Sequence, residues 1–209
     1  MTPRVSRFSF PQVRRLERRL CISISRVIPM AGLRTRKAKA FWPLLLLLVF
    51  ADCTTKRLAE EHLVPEHVPH PVVGDIVRFT LAYNRGAAFN VSLGEYSRVG
   101  FTAIAAGVLI ALASVYRTTS AHDRVQAVAL ALVAGGAIGN ALDRIRAPGG
   151  TYRGVVDFID IGVGGWRFWT FNLADMGVTF GAILLAVLLW RRGGDHSPSP
   201  AAPGSPADA

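Results

Sequence analysis

Two aspartates, Asp143 and Asp175, each stand where a long apolar run meets a polar loop. Asp143 closes the run Val125 to Leu142, and Asp175 opens the run Met176 to Trp190. If successive runs cross a membrane in opposite directions, both carboxyl groups reach the same face of the bilayer at the same depth. An ionisable side chain there is costly and points to function by default. Two together suggest carboxyl groups sharing one proton, the chemistry by which an aspartic protease activates water.

Other polar residues gather in the same way. Four islands, Asp52 to Lys56, Asn84 to Asn90, Gly135 to Arg144 and Phe171 to Asp175, interrupt or border apolar sequence. Gly136, Asn140 and Asp143 are spaced by four and three, which sets them on one helix face. Gly135, Gly136 and Gly139 allow a second helix or a substrate backbone to come close. Asn140 and Asn172 are placed to hold the two carboxylates, and equally to join helices by hydrogen bonds. Asp52 and Lys56, four apart, share a helix face and can pair. Arg144 follows Asp143 directly and so points elsewhere, as an anchor for a loop or a headgroup. Asp157 and Asp160 fall in an outer loop where water makes charge cheap, so a solvated or loop-fixing role is their default. The spacing of His62, His67 and His70 matches no compact metal site, and no HExxH motif occurs, so neither a metal nor a cofactor is expected. Cys21 and Cys53 form no disulfide framework, and Cys53 reads as a small packing residue.

The elements that position these groups follow from hydropathy. Spanning about 30 Å of hydrocarbon takes roughly 20 helical residues. Val99 to Tyr116 and Val125 to Leu142 are uncharged runs of that order, and Phe171 to Trp190 supplies another. Ala40 to Ala51 is too short unless its helix continues through Asp52, Lys56 and Ala59. The expected fold is therefore an α-helical integral membrane protein with four transmembrane helices. Arg34, Arg36, Lys37 and Lys39 precede the first crossing, Arg117 and Arg124 flank the turn between the second and third, and Arg191 and Arg192 follow the fourth. With four crossings these clusters share one side, the cytoplasm, and both termini lie there. The loops at about 61–96 and 146–170 then face outward. Asp75 to Tyr83 alternates polar and apolar residues and reads as a strand, with shorter candidates at Tyr152 to Ile159 and Val163 to Trp169, so a small sheet on the outer surface is expected.

The chain has 209 residues, 51% of them hydrophobic, which fits one compact membrane domain, 40–192. The net charge of +10 is concentrated: eleven Lys/Arg fall in residues 1–39 against one acid, Glu17. That distribution marks a cytoplasmic flank able to touch anionic lipids, and no aromatic nucleic-acid motif accompanies it. Residues 1–39 read as a disordered basic extension, within which Met30 is a plausible alternative start, and 193–209 as a disordered Pro/Ser/Ala tail. Basic residues, an apolar run and Cys53 imitate a lipoprotein signal peptide, but Asp52 stands where a small residue is needed for cleavage, so the first segment is retained as a helix.

The islands together resemble the lipoprotein signal peptidase (signal peptidase II) family. The resemblance is carried by D-x-x-T-K at Asp52 to Lys56, N-x-G-A-A-F at Asn84 to Phe89, G-G-A-x-G-N-x-x-D-R at Gly135 to Arg144, V-V-D-F at Val155 to Phe158 and F-N-x-A-D at Phe171 to Asp175. It covers about residues 40–190. It implies an intramembrane aspartic endopeptidase of the bacterial inner membrane, with an extracytoplasmic β-cradle, that cuts prolipoproteins before a diacylglyceryl-modified cysteine. The catalytic pair it implies is Asp143 and Asp175. Asp52, Lys56, Asn84, Gly86, Gly136, Asn140, Arg144, Asp157, Asn172 and Ala174 match its other motif positions as substrate-binding or supporting residues. Asn90 departs from the small residue expected after the phenylalanine. Inhibition by a globomycin-type cyclic peptide and a monomeric state are also expected.

Two other classes compete. A proton-coupled transporter would need polar groups at several depths, whereas here they gather at one face and the inner halves of crossings two to four are almost wholly apolar. A non-catalytic scaffold would leave the two carboxylates unexplained.

Overall fold

In the computed structural model, residues 35–86, 96–146 and 153–194 are described. Four helices, α1 (Arg36–His62), α2 (Ser97–Thr118), α3 (Arg124–Ile145) and α4 (Leu173–Gly194), are each long and apolar enough to cross a membrane. The basic and Pro/Ser-rich ends, the Met30 question and motif residues 87–90 lie outside the described residues.

Helix α1 starts before the expected boundary at residue 40, because the Thr35 hydroxyl caps it by accepting from the Ala38 N–H. Lys37 then donates to the carbonyls of Tyr116 and Thr119 at the end of α2, while the Phe41 and Tyr116 rings meet at 4.4 Å. At 27 residues, α1 is about 40 Å long and outreaches the hydrocarbon layer. Its surplus length is used at the far end. There Ala59 and, just past it, Leu63 pack on Leu81, Val156 and Phe158 of the sheet.

Helix α3 is the centre of the bundle. Asp123 caps it by accepting from Gln126 N–H. Ala127, Ala129, Ala131, Ala134, Gly135, Gly136 and Gly139 are all buried, and so many small residues let α1 and α4 lie close on either side. In membranes, where lipid tails are as apolar as leucine, such close van der Waals packing replaces the hydrophobic drive of a soluble core. Helix α2 packs on α3 and otherwise presents an apolar surface.

Strands β1 (His70–Val73), β2 (Val77–Asn84), β3 (Val155–Val163) and β4 (Trp166–Arg167) form one antiparallel sheet in sequential order. Strand β1 was not anticipated, since two of its four residues are His and Pro. Strand β3 runs unbroken to Val163, past the expected stop at Ile159. Phe171 bridges to Ile159, which fixes the entry of α4 against the sheet. Asp160 is buried and takes the loop-fixing one of its two expected roles: Arg78, Arg167 and the Thr80 hydroxyl all donate to it. Burial works to raise its carboxyl, but the hydrogen bonds from Arg167 and Arg78 outweigh that and hold it below the ordinary range. Its role is to clamp β2, β3 and β4 together.

Candidate active site

The described residues of all four polar islands meet at the sheet end of the bundle. Lys56 is 2% exposed and stands at the centre of one half of the site. Its ammonium has three donors, and three acceptors surround it: Asp52 Oδ2 at 2.8 Å, Asp143 Oδ2 at 2.7 Å and Asn140 Oδ1 at 2.9 Å. The expected Asp52–Lys56 pairing one turn apart is therefore present. Asp52 is fully buried, and its other oxygen accepts from the Ala174 N–H at 2.9 Å, tying α1 to the first turn of α4. Burying such charges is tolerable only when every member is paired.

Asn140 and Asn172 form the second half. Asn140 Nδ2 donates to Asp175 Oδ1 at 2.7 Å. Asn172 and Asp175 cap α4 reciprocally: Asp175 N–H donates to Asn172 Oδ1 and Asn172 N–H to Asp175 Oδ2. The Asn172 amide also donates to Asp157 Oδ1 at 2.7 Å, to Asn140 Oδ1 at 3.1 Å and to the Val156 carbonyl at 3.2 Å. Asn172 thus bonds to both Asp157 and Asp175. Both asparagines join elements and hold carboxylates, so the two roles expected of them coincide.

Asp157 departs from the solvated default. It is 3% exposed, on β3 just above the helix ends. Burial, followed by the charge of Asp175, pushes its carboxyl from 3.8 up to about 7, although hydrogen bonds from the Asn172 and Asn84 side chains act the other way. Asp143, by contrast, is held by Lys56 at 2.7 Å, with the Val156 N–H a longer contact at 3.4 Å. Asn140, bonded to Lys56 on one side and Asp175 on the other, stands between Asp143's cation and Asp175.

The remaining motif residues shape this arrangement. A Cβ on Gly136 would collide with the carbonyl of Ala174, so glycine is what lets α3 and α4 touch there. Arg144 turns away from Asp143 and donates to the carbonyls of Asn140 and Gly86, anchoring the loop as expected. The Asn84 side chain accepts from Gly86 N–H and reaches Asp157. Gly154 takes φ +137°, a conformation open to glycine, and lies against the Asn84 backbone. Sequence reasoning missed a link among Glu60, Tyr83 and Arg153, in which the tyrosine hydroxyl donates to Glu60 and accepts from Arg153. No motif or spacing signals it, because the three come from separate elements. A cavity of about 630 Å³ opens beside Asp143 and Val156. Among the described residues, no group of three His, Cys, Asp or Glu side chains gathers as metal ligands would.

Geometry of this kind can be compared with known proteins. The family model described as "Signal peptidase (SPase) II" matches residues 44–191. A lipoprotein signal peptidase of Coxiella burnetii is 37% identical over 161 residues, covering 74% of this chain and 94% of that protein. One from Burkholderia mallei is 42% identical over 108 residues, which span 51% of this chain and 61% of the relative. Among solved structures, a bacterial membrane enzyme determined by the in meso method at 2.3 Å resolution has a TM-score of 0.64 at 26% identity, covering 76% of this chain and 92% of that one. A second, at 1.9 Å, has a TM-score of 0.59 at 30% identity, covering 70% and 89%. The match over residues 44–191 and the identity to lipoprotein signal peptidases agree with the likeness in fold to bacterial membrane enzymes, and the chain belongs to the signal peptidase II family.

Proposed function

We propose that this multi-pass membrane protease is an aspartic endopeptidase that removes the signal peptide from lipidated prolipoproteins, with Asp143 and Asp175 as the pair that activates water. The observation that carries this reading is Asn140, which accepts from Lys56, itself 2.7 Å from Asp143, and donates to Asp175 at 2.7 Å. Two carboxyl groups brought to one end of the bundle can share one proton, the pairing such chemistry needs.

Asp143 is the partner that the sequence reading gives Asp175, and its oxygen is 2.7 Å from the Lys56 ammonium. Asp157 takes a positioning role, bonded through Asn172 to Asp175. The triad of Asp52, Lys56 and Asp143 holds Asn140, and Asn140 holds Asp175.

In the reaction, the ionised member of the pair takes a proton from the water as its oxygen attacks the scissile carbonyl. The protonated member donates to the carbonyl oxygen. When the tetrahedral species collapses, the C–N bond breaks, the amine leaves with the proton taken from the water, and the second carboxyl recovers its own. The two carboxyls titrate as a pair, so the pH dependence belongs to the dyad. The acyl chains of the modified cysteine stay in the bilayer while the peptide bond reaches the site at its surface. The sheet faces outward, both termini face the cytoplasm, and globomycin-type cyclic peptides compete with substrate. A proton-coupled transporter would need polar groups at several depths, and a scaffold would leave the carboxyl pair without a use.

The test is cleavage of a lipidated prolipoprotein by the purified protein, followed by gel shift. Asp143→Asn and Asp175→Asn each abolish the shift while the protein remains folded in the membrane. Normal processing by either variant would remove that residue from the pair.

A further inference from the structure

The cavity of about 630 Å³ beside Asp143 carries more positive charge than the site consumes. Arg57, Arg146 and Arg153 line it, with Lys56 at its base and Glu60 and Asp143 as its acids. Lys56 is spent on Asp52, Asp143 and Asn140. Arg153 bonds to the Tyr83 hydroxyl, which is itself bonded to Glu60. Arg57 and Arg146 have no acidic partner among the described residues, and both are exposed. Two guanidinium groups therefore face one cavity with their donors unspent.

Their position says what would use those donors. Arg57 follows the buried polar turn of α1, and Arg146 caps the C-terminus of α3, where it adds positive charge to the negative end of the helix dipole. Both stand at the sheet end of two membrane-crossing helices, at the depth of lipid headgroups. Just below them, Phe50 on α1 and Ile145 on α3 are 71% and 62% exposed, apolar surface suited to acyl chains. A guanidinium fork binds phosphate oxygens two at a time, and two forks on one cavity suit a phosphodiester.

We propose that this cavity is a binding site for the phosphodiester headgroup of an anionic phospholipid, held between Arg57 and Arg146 with its chains along the outer ends of α1 and α3. The site differs from the generic attraction of basic residues to a membrane surface because it is concave and adjoins Asp143 and Val156. Lipid bound there contacts residues one step from Asp157. The binding does not depend on which aspartates are catalytic.

The test is native mass spectrometry of the full-length protein released from detergent in the presence of phosphatidylglycerol, phosphatidylcholine or glycerol phosphate. Wild type retains phosphatidylglycerol in preference to phosphatidylcholine, and glycerol phosphate displaces it only weakly. The Arg57→Gln/Arg146→Gln protein loses this preference by roughly tenfold or more, since each basic group near anionic lipid contributes about a factor of five. Arg57→Lys/Arg146→Lys retains part of it, because charge survives and the fork does not. Arg117→Gln/Arg191→Gln, altered at the opposite end of the bundle, behaves as wild type. Equal retention of phosphatidylglycerol by wild type and the double glutamine variant would overturn the proposal. So would binding of glycerol phosphate as tight as that of the lipid, which would make the cavity a site for soluble phosphate. Asp175→Asn keeps the lipid preference, so loss of catalysis and loss of the lipid site are read separately.

Discussion

Replacing Asp157 by asparagine tests both the chemistry and the electrostatics of the site. In the fold this carboxyl is raised from 3.8 to about 7 by burial and by Asp175. Ionising it inside the protein therefore costs about 4 kcal/mol more than in the unfolded chain, an order-of-magnitude figure. Below pH 3.8 both states hold the proton and Asp157 has no effect. Between that value and about 7 the unfolded chain releases the proton while the folded protein retains it, so stability falls as pH rises. Above about 7 the whole penalty is present. Asparagine cannot ionise, yet its amide oxygen still accepts from Asn172. Asp157→Asn should thus unfold at nearly the wild-type temperature at pH 4 and on the order of 10 °C higher at pH 8.5. Its turnover should fall by less than that of Asp143→Asn or Asp175→Asn, because Asp157 acts on the pair through Asn172. Thermal unfolding in detergent, followed by tryptophan fluorescence at the two pH values, reads the first effect, and gel shift of a lipidated substrate reads the second. A pH-independent change in unfolding temperature would refute the buried, protonated carboxyl. Turnover as low as in those two variants would refute the positioning role.

Asp143→Asn leaves Lys56 with one carboxylate and lowers stability by about 3 kcal/mol or more, whereas Asp143→Asn combined with Lys56→Met recovers part of that loss, a non-additivity measurable as a double-mutant cycle in thermal unfolding. Asn172→Ala removes the cap of α4 and its bonds to Asp157 and Asn140, so kcat drops by ~100-fold or more with about 1–2 kcal/mol of stability; unchanged kcat would show that Asn172 only joins helices. Gly136→Ala drives a methyl group into the Ala174 carbonyl and costs about 1–3 kcal/mol, visible as a lower unfolding temperature. In wild type, kcat/KM is bell-shaped in pH, falling where the pair takes up a second proton and again where it loses the shared one, and a flat profile would contradict the shared-proton mechanism.

Local chemistry determined much of this protein. Uninterrupted apolar runs of spanning length define helices wherever they occur, because a backbone in hydrocarbon must satisfy its own hydrogen bonds. The spacing of Asp52 and Lys56, and of Gly136, Asn140 and Asp143, carries their shared helix faces, and the Asp52–Lys56 pairing follows from it. Alternation in Asp75 to Tyr83 announced β2, but nothing in His70 to Val73 announced β1, whose conformation comes from pairing with β2. Tertiary structure alone decided what surrounds each carboxyl group. Asp143, bordering an apolar run, looked costly and is paired with a lysine 87 residues away in the chain. Asp157, in a polar loop, looked cheap and is enclosed by β3, Asn172 and Asn84. The energy of a carboxylate depends on the charges, donors and water within a few ångströms, and the neighbours that matter here come from other elements, brought together only when the helices and the sheet close on one another.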